Sequence, residues 1–423
     1  MKLRNKTEIV VLLLGDIAFL LLALAGALYL RFGYWPDQGL LKEHLVPFII
    51  IFGLWLIVFY IFDLYRPLTW LTKEKLSAVL FRALTVNTVL AAIFFYLVPY
   101  FYIQPKLVLV LVLVLAFVFL WLWRHWMTRY FIDRPGESVL LVGRQEDFSS
   151  LIKTLSGRQL LQFKVCSSQS LIKDDDGYST IVLNWHGYDR ELLLRAYKKF
   201  KIGRRVIGIN DLYEEWLGFI PVDLISEKWF LEHVPNQPKP IYDSLKRVVD
   251  VIVASLLLII FAPFILLTAV AILIFDGQPL FYLDKRVGRF GRVFYLYKFR
   301  SMTNDQVTTI GRFLRQARLD ELPQLVNVLQ GRLSLIGPRP EKPDYVGLYS
   351  RQIPYYDIRH LIAPGLSGWA QIYHDGHPHF KPKVEATRDK LSYDLYYVKN
   401  RSLWLDLKIS LKTLITLMSF SGK

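Results

Sequence analysis

The sequence predicts a membrane protein of mixed α and α/β structure, built from three consecutive parts. Four long apolar stretches fill the first third of the chain, which predicts a four-helix transmembrane bundle at residues 1–135. Residues 136–235 alternate short apolar strands with helices, the pattern of a small parallel α/β domain. Residues 236–423 begin with a further apolar segment, interrupted by one proline, and continue into a basic, charge-rich region.

Composition narrows the class of protein and of partner. The 423 residues are 53% hydrophobic and carry a net charge of +16, too apolar for an ordinary soluble enzyme and too charged for a wholly embedded protein. A basic excess fits nucleic acid, an anionic membrane surface or a phosphorylated substrate. The sequence shows no zinc-ligand spacing, helix-turn-helix pattern or RNA-binding aromatic signature, so we expect no nucleic acid partner. The single cysteine, Cys166, excludes an intramolecular disulfide.

The four apolar stretches are each about as long as a helix that crosses a hydrocarbon core. They cover residues 9–30, 45–62, 78–98 and 107–123. We expect the first to remain in the mature protein, because it is long and three similar segments follow it. Basic residues concentrate before the first span, between the second and third, and after the fourth, so both ends of the bundle are predicted to be cytoplasmic. Asp16, Asp63 and Arg82 lie near span ends, where structural and functional roles both remain open.

The middle part predicts strands at residues 138–143, 180–183 and 205–209, with helices at 147–155 and 191–200. A nucleotide site would need a glycine-rich turn after the first strand, so that the backbone could approach a pyrophosphate. Residues 143–147 read GRQED, with one glycine and two acids. The sequence therefore predicts a small degenerate Rossmann-like domain, and favours a structural or interaction role over nucleotide binding.

A further apolar segment covers residues 248–275, with Pro263 near its middle. As a fifth span it would carry the following basic residues to the outer face, against the positive-inside rule. Proline bends a helix, and the two halves, about 22 and 18 Å long at helical rise, are too short to cross singly. We predict a bent re-entrant helix over residues 244–276, with a kinked spanning helix as the alternative. The re-entrant path keeps the C-terminal part in the cytoplasm.

Charged residues of both signs follow the re-entrant segment. Lys298 and Arg300 share one face of a predicted strand, where they form either a solvated face or a phosphate site. Asp320 and Glu321 precede a predicted helix at residues 322–329, so one interpretation is a helix N-cap followed by a first-turn acid. The alternative is phosphoryl transfer, in which one carboxylate attacks phosphorus and the other holds a divalent metal. Nearby arginines would then neutralise the developing charge.

Seven motifs occur in order over the last two fifths of the chain: KRVVD (246–250), YKFRSM (297–302), GRFLR (311–315), LDELPQ (319–324), GPRP (337–340), PGLSGWAQ (364–371) and YDLYYVKN (393–400). Together they resemble the bacterial sugar transferase family, the monotopic phosphoglycosyl transferases that act as polyisoprenyl-phosphate hexose-1-phosphate transferases. The four spans and the degenerate α/β domain are similar to the accessory region of the larger members.

The resemblance implies that Asp320 takes a sugar-1-phosphate from a UDP-sugar, with release of UMP. Undecaprenyl phosphate then attacks the aspartyl intermediate and leaves as polyprenyl-diphosphate-sugar. Glu321 is implied to ligate Mg²⁺. The predicted phosphate-binding residues are Lys298, Arg300, Arg315 and Arg339. The implied setting is the cytoplasmic face of a bacterial inner membrane, at the first membrane step of exopolysaccharide, capsule or O-antigen synthesis; a homodimer and contacts with later glycan-assembly enzymes are left open.

Some features depart from the family pattern or leave alternatives. Ala262 precedes Pro263 where a serine is common, and the loop containing His374, His377 and His379 replaces an Asn-Gly-Arg-like sequence, which leaves the sugar open. That loop is either an exposed polar loop or a metal site. Residues 401–420 form an amphipathic helix that lies on the membrane or packs on the catalytic domain. The alternative function is a noncatalytic membrane scaffold or regulator of glycan assembly.

Overall fold

The computed structural model describes residues 2–65, 73–97, 106–132, 137–143, 148, 151–152, 161–166, 178, 180–184, 190–234, 239–303, 306–374 and 383–418. The chain divides into two compact units, Met1–Ile209 and Asn210–Lys423. Most of the helix predicted at residues 147–155 lies outside the described residues, as do His377 and His379.

Four long helices begin the first unit: α1 (Lys2–Phe32), α2 (Gln38–Ile61), α3 (Lys73–Leu97) and α4 (Lys106–Ile132). Each contains an apolar stretch of 21 to 24 residues, long enough to cross a membrane. Helix α1 packs mainly on α4, and α2 on α3. Large apolar side chains such as Leu20, Trp55 and Leu120 are fully buried between them. The four predicted apolar helices are thereby confirmed.

A buried ion pair links three of these elements. The guanidinium of Arg124 on α4 contacts the carboxylate of Asp16 on α1, and neither side chain is exposed to solvent. Arg124 also donates to the carbonyl of Leu64 at 2.6 Å, just after α2 ends. The hydroxyl of Tyr65 donates to the same oxygen of Asp16 at 2.7 Å. These contacts favour the structural interpretation of Asp16.

The α/β part of the first unit is a four-stranded parallel sheet with the strand order β2-β1-β3-β4. Its strands are β1 (Glu137–Val142), β2 (Leu161–Cys166), β3 (Thr180–Leu183) and β4 (Arg205–Gly208). Helix α5 (Arg190–Lys201) connects β3 to β4. The three predicted strands are confirmed, whereas β2 was missed. Its sequence, LQFKVC, is short and interrupted by polar residues, and it pairs in register with β1.

The described residues of the second unit form the long helix α8, shorter helices and three strand pairs. Its helices are α6 (Ile209–Leu217), α7 (Glu227–His233), α8 (Pro240–Phe275), α9 (Thr309–Gln316), α10 (Gln324–Leu329), α11 (Pro343–Gln352), α12 (Trp369–Tyr373), α13 (Val384–Asn400) and α14 (Leu403–Met418). Its strands are β5 (Phe281–Val287), β6 (Val293–Phe299), β7 (Met302–Thr303), β8 (Gln306–Val307), β9 (Ser334–Ile336) and β10 (Gly365–Ser367). Pairs β5–β6 and β7–β8 are antiparallel, and β9–β10 is parallel.

Residues 210–234 contribute to the hydrophobic core of this second unit. Ile220 and Trp229 are buried in the same cluster as Leu391 and Leu395 of α13. The backbone N–H of Ile220 donates to the Ser392 carbonyl at 3.0 Å. The sequence analysis assigned these residues to the α/β domain at residues 136–235, whereas in the structure Ile220 and Trp229 pack in the same cluster as α13.

Helix α8 is anchored to the second unit near both of its ends. Near its start, the Asp250 carboxylate accepts from the Ser334 hydroxyl at 2.7 Å. At its far end, Asp276 accepts from the Thr308 hydroxyl at 2.8 Å. Between these contacts, none of residues 259–264 is buried, and Ile259 is 72% exposed. The helix contains Pro263 and is the fifth segment that is long and apolar enough to cross a membrane.

Candidate active site

Asp320 lies in a single turn of 3₁₀ helix, Leu319–Glu321, between α9 and α10. The turn packs against β6 and α9, with Leu319 contacting the apolar cluster around Phe299. Arg318 precedes it with φ +54°, a left-handed conformation that is uncommon for a residue with a side chain. The helix-cap interpretation of Asp320 is wrong, because α10 begins at Gln324 and its N-cap position is Pro323. The 3₁₀ turn instead leaves the Asp320 side chain 9% exposed beside β6.

Burial and the nearby cations shift the pKa of Asp320 in opposite directions. The pKa of its carboxyl is raised to about 6, chiefly by burial and also by the adjacent charge of Glu321. The cations Lys298 and Arg315 lower the same pKa, so both lie close enough to act on the carboxylate. Neither forms an ion pair with it among the described residues. The result is a buried carboxylate with cations nearby and no cation in contact.

Lys298 extends this cluster to the GPRP turn. Burial lowers the pKa of the Lys298 ammonium, and the neighbouring guanidinium of Arg339 lowers it further, whereas Glu321 raises it. The predicted residues that the structure brings together are therefore Asp320, Glu321, Lys298, Arg315 and Arg339. Within the described part of the chain, none of these five side chains has a hydrogen-bonding or ion-pair partner on another side chain. Their polar groups are available to a bound molecule.

Arg300, which was predicted with the phosphate-binding residues, is occupied elsewhere. Its guanidinium donates to the carbonyls of Gly277 and Gln278, each at 2.7 Å, and contacts the carbonyl of Asp276. These groups form the turn that follows α8, so Arg300 ties the end of that helix to β6. Strand alternation placed Arg300 beside Lys298, but β6 ends at Phe299. The side chain is thus free to follow a different direction.

The backbone of the GPRP turn is held by hydrogen bonds from several elements. These are Gly337 N–H to Ser367 O at 2.8 Å, Gly365 N–H to Pro338 O at 2.9 Å, Arg359 Nη2 to Arg339 O at 2.9 Å and Arg286 Nη1 to Pro340 O at 3.0 Å. A Cβ on Gly337 would lie 2.5 Å from the Ala363 carbonyl, so this close approach requires glycine. With its backbone held in this way, the turn presents the Arg339 side chain from a fixed position.

Two ion pairs behind this turn were not predicted. Arg359 binds Asp394 at 2.8 and 3.0 Å, and both side chains are buried. Arg286 binds Asp284 on the same strand, with an Nε to Oδ2 distance of 3.0 Å. Asp394 lies in the YDLYYVKN motif, which was its only signal, because Arg359 is 35 residues away in sequence. These pairs orient the two guanidinium groups toward the GPRP carbonyls.

The KRVVD motif at residues 246–250 also contacts neighbouring helices of the second unit. Arg247 donates to the carbonyls of Val328 and Leu329 at 2.5 and 2.6 Å, satisfying the free carbonyls at the end of α10. Lys246 binds Asp406 of α14 at 3.0 Å. Because α10 follows the Asp320 turn directly, Arg247 joins the apolar helix α8 to the helix next to the carboxylates.

Residues 241–420 match the bacterial sugar transferase family. The chain is 40% identical over 215 residues to the UDP-glucose:undecaprenyl-phosphate glucose-1-phosphate transferase of Caulobacter vibrioides, covering 47% of this chain and 80% of that protein. This chain belongs to the bacterial sugar transferase family. It is also 38% identical over 231 residues to the UDP-N-acetylgalactosamine-undecaprenyl-phosphate N-acetylgalactosaminephosphotransferase of Aeromonas hydrophila, and that match covers 51% of this chain and only about half, 53%, of the relative.

The carboxylates near Lys298 are the candidate metal ligands of this bacterial sugar transferase. No group of three or more His, Cys, Asp and Glu side chains forms a metal cage among the described residues. Mg²⁺ does not need such a cage, since it commonly binds one or two carboxylates together with substrate phosphates and water. Glu321, adjacent to Asp320, is a carboxylate of the kind that such a site uses. His374 belongs to the histidine loop for which the sequence left a metal site open, and it lies 4.0 Å from the Asp389 carboxylate.

Proposed function

We propose that this bacterial sugar transferase is an enzyme that transfers a sugar-1-phosphate from a UDP-sugar to undecaprenyl phosphate. The products are UMP and undecaprenyl-diphosphate-sugar. The observation that carries the proposal is the buried Asp320 carboxylate, which lies beside Lys298 and Arg315 without an ion pair to either. The names of the Caulobacter and Aeromonas relatives support the same donor and acceptor classes.

In the first step, an oxygen of the Asp320 carboxylate attacks the phosphorus that carries the sugar. A bond between this oxygen and phosphorus forms as the bond from that phosphorus to the diphosphate bridging oxygen breaks, and the bridging oxygen leaves with UMP. A pKa of about 6 keeps most Asp320 ionised at pH 7, while burial leaves the carboxylate poorly solvated and therefore reactive. Lys298, Arg315 and Arg339 stabilise the negative charge on the phosphoryl oxygens.

In the second step, a phosphate oxygen of undecaprenyl phosphate attacks the same phosphorus. The bond between phosphorus and the Asp320 oxygen breaks, which releases the lipid-linked sugar and restores the carboxylate. Dividing the transfer in this way allows the two substrates to use the site in turn, since UMP departs before the lipid reacts. The same three cations would serve both steps, because charge develops on the same phosphoryl group.

We propose that Glu321 holds Mg²⁺. The bound ion would neutralise charge on the substrate diphosphate. Glu321 has a second effect of its own, because its negative charge helps to raise the pKa of Asp320. The same charge opposes the lowering of the Lys298 pKa by burial and so favours the protonated ammonium.

We propose a re-entrant membrane topology for residues 244–276, with the bend at Pro263, which lies inside the continuous helix α8. The contacts of Asp250 and Asp276 with one unit support it, because the two ends of a straight spanning helix would emerge on opposite sides of the bilayer. Exposure of residues 259–264 supports insertion of the middle of the helix into lipid. We propose that the site lies at the cytoplasmic face of the inner membrane and acts at the start of exopolysaccharide, capsule or O-antigen synthesis. We also propose that the α/β domain is Rossmann-like.

The test uses the full chain in lipid nanodiscs with a UDP-sugar labelled in the phosphate next to the sugar. Without undecaprenyl phosphate, we expect a burst of UMP equivalent to the enzyme and a labelled protein; the acceptor should then move the label to lipid. Asp320→Asn should abolish the burst and label, whereas the control Asp344→Asn, on an exposed part of α11, should not. Normal turnover by Asp320→Asn would reject the nucleophile. Absence of turnover by the natural chain with every UDP-sugar would favour the noncatalytic scaffold.

A further inference from the structure

The outer side of α5 in the α/β domain is apolar and exposed. The exposed apolar side chains of this helix and the turn after it are Leu193 (39%), Leu194 (53%), Tyr197 (55%), Phe200 (62%) and Ile202 (66%). The inner side packs on the sheet through Ala196, which is 4% exposed. No other described element covers the outer side, which is unusual for a contiguous apolar surface in contact with water.

Basic residues flank this apolar surface. Residues 190–205 contain seven cations and one acid: Arg190, Arg195, Lys198, Lys199, Lys201, Arg204 and Arg205, against Glu191. At 100° per residue, Leu193, Tyr197 and Phe200 share one face of the helix, and Lys201 and Lys198 lie along one edge of it. An apolar face with a basic border is typical of helices that lie in the interface of an anionic membrane.

The chain keeps this helix close to a membrane. Helix α4 ends at Ile132 and β1 begins at Glu137, so the connection spans at most about 17 Å when fully extended. Helix α5 packs on β4, which is two strands away from β1 and therefore about 10 Å across the sheet. The apolar part of α4 itself ends only five residues before Ile132, at Met127. A bilayer around the four-helix bundle is thus within reach of α5.

We propose that α5 and residues 202–205 form a docking surface for anionic phospholipid. Tyr197, Phe200 and Ile202 enter the boundary between headgroups and acyl chains, and the bordering lysines bind the lipid phosphates. This assigns the α/β domain a membrane-binding role that is independent of the proposed transferase reaction, since none of these residues belongs to the carboxylate site.

The experiment uses the full chain with Cys166→Ser and one new cysteine, labelled with an environment-sensitive fluorophore. The label is placed at Tyr197→Cys on the apolar face, or at Glu191→Cys about 120° around the helix as a control. In nanodiscs that contain phosphatidylglycerol, we expect doxyl-labelled lipid to quench the Tyr197 label at least threefold more than the Glu191 label. The difference should fall at least twofold in phosphatidylcholine alone or in 0.5 M salt.

Charge reversal provides the matched variant. Lys198→Glu/Lys201→Glu should reduce quenching of the Tyr197 label at least twofold, and an unchanged rate of UMP release in detergent would show that the chain is folded. Equal quenching at both labels, or quenching that ignores charge reversal, would overturn the proposal. So would efficient disulfide crosslinking of unlabelled Tyr197→Cys between two chains, because a second copy would then cover the surface.

Discussion

Asp16 in the transmembrane bundle and Asp320 in the catalytic unit are both buried carboxylates near cations, yet their surroundings differ. Asp16 contacts Arg124 directly and also accepts from the Tyr65 hydroxyl. Asp320 has Lys298 and Arg315 nearby, but no ion pair with either. A buried charge whose partners are in contact is already compensated by the fold. One whose partners stand apart leaves room for a ligand between them.

The arginines of the catalytic unit show the same difference. Arg247, Arg286 and Arg359 each bind backbone carbonyls, and two of them also bind buried aspartates. Arg315 and Arg339 have no such partners among the described residues. Motif membership does not separate these groups, since Arg247 and Arg339 both lie in family motifs. The contacts of each arginine separate the two groups. These contacts also predict which substitutions lower the stability of the fold and which lower the rate of the reaction.

The largest stability effect is expected at the bundle pair. Asp16→Ala leaves the Arg124 charge buried without its carboxylate, which typically costs about 3–5 kcal/mol. The double variant Asp16→Leu/Arg124→Leu should recover most of this loss, because no buried charge remains. Unfolding of the full chain in mixed micelles, followed by tryptophan fluorescence, measures both variants. If the double variant were as unstable as the single one, a compensated structural pair would be the wrong description of Asp16.

Substitution of Arg339 should raise the activation free energy of the reaction by a similar amount and leave the free energy of unfolding unchanged. Arg339→Gln removes one charge from the phosphoryl site and should lower kcat/KM about 10²- to 10³-fold. The unfolding midpoint should stay unchanged, because this side chain has no hydrogen-bonding or ion-pair partner among the residues that the structure describes. Arg359→Gln should lower stability as well as turnover, since it leaves Asp394 buried and unpaired. Equal stability losses in both variants would remove the distinction between free and partnered arginines.

A smaller effect concerns the pH dependence of the first step. Since Asp320 attacks as the carboxylate, UMP release at limiting Mg²⁺ should fall as the pH decreases through about 6, the raised pKa of this group. Glu321→Gln removes a charge that raises this pKa, so the acidic limb should move to lower pH. Lys298→Gln removes a charge that lowers it, so the limb should move to higher pH. Shifts in the same direction in both variants would contradict the proposed charge arrangement.

Features that depend on local pattern were predictable, and those that depend on distant contacts were not. The four apolar helices follow from length and hydrophobicity, and the five clustered candidate residues each lie in one of the family motifs. The pairing of Arg359 with Asp394 bridges 35 residues without a periodic signal. The 3₁₀ turn at Asp320 depends on the left-handed conformation of Arg318. An arginine in a sequence does not predict that conformation. The role of Arg300 depends on where β6 ends, a position set by its pairing with β5.

The burial of residues 210–234 in the core of the second unit affects where this chain can be cut in a fusion or truncation. The match to the family as a whole covers residues 241–420, yet the Trp369 indole N–H donates at 2.6 Å to the Gly218 carbonyl, and Ile220 is fully buried. The segment matched by the family is therefore smaller than the segment that shares this hydrophobic core. A gene fusion or truncation made at residue 240 would keep every family motif and still remove Ile220 and Trp229 from a hydrophobic core.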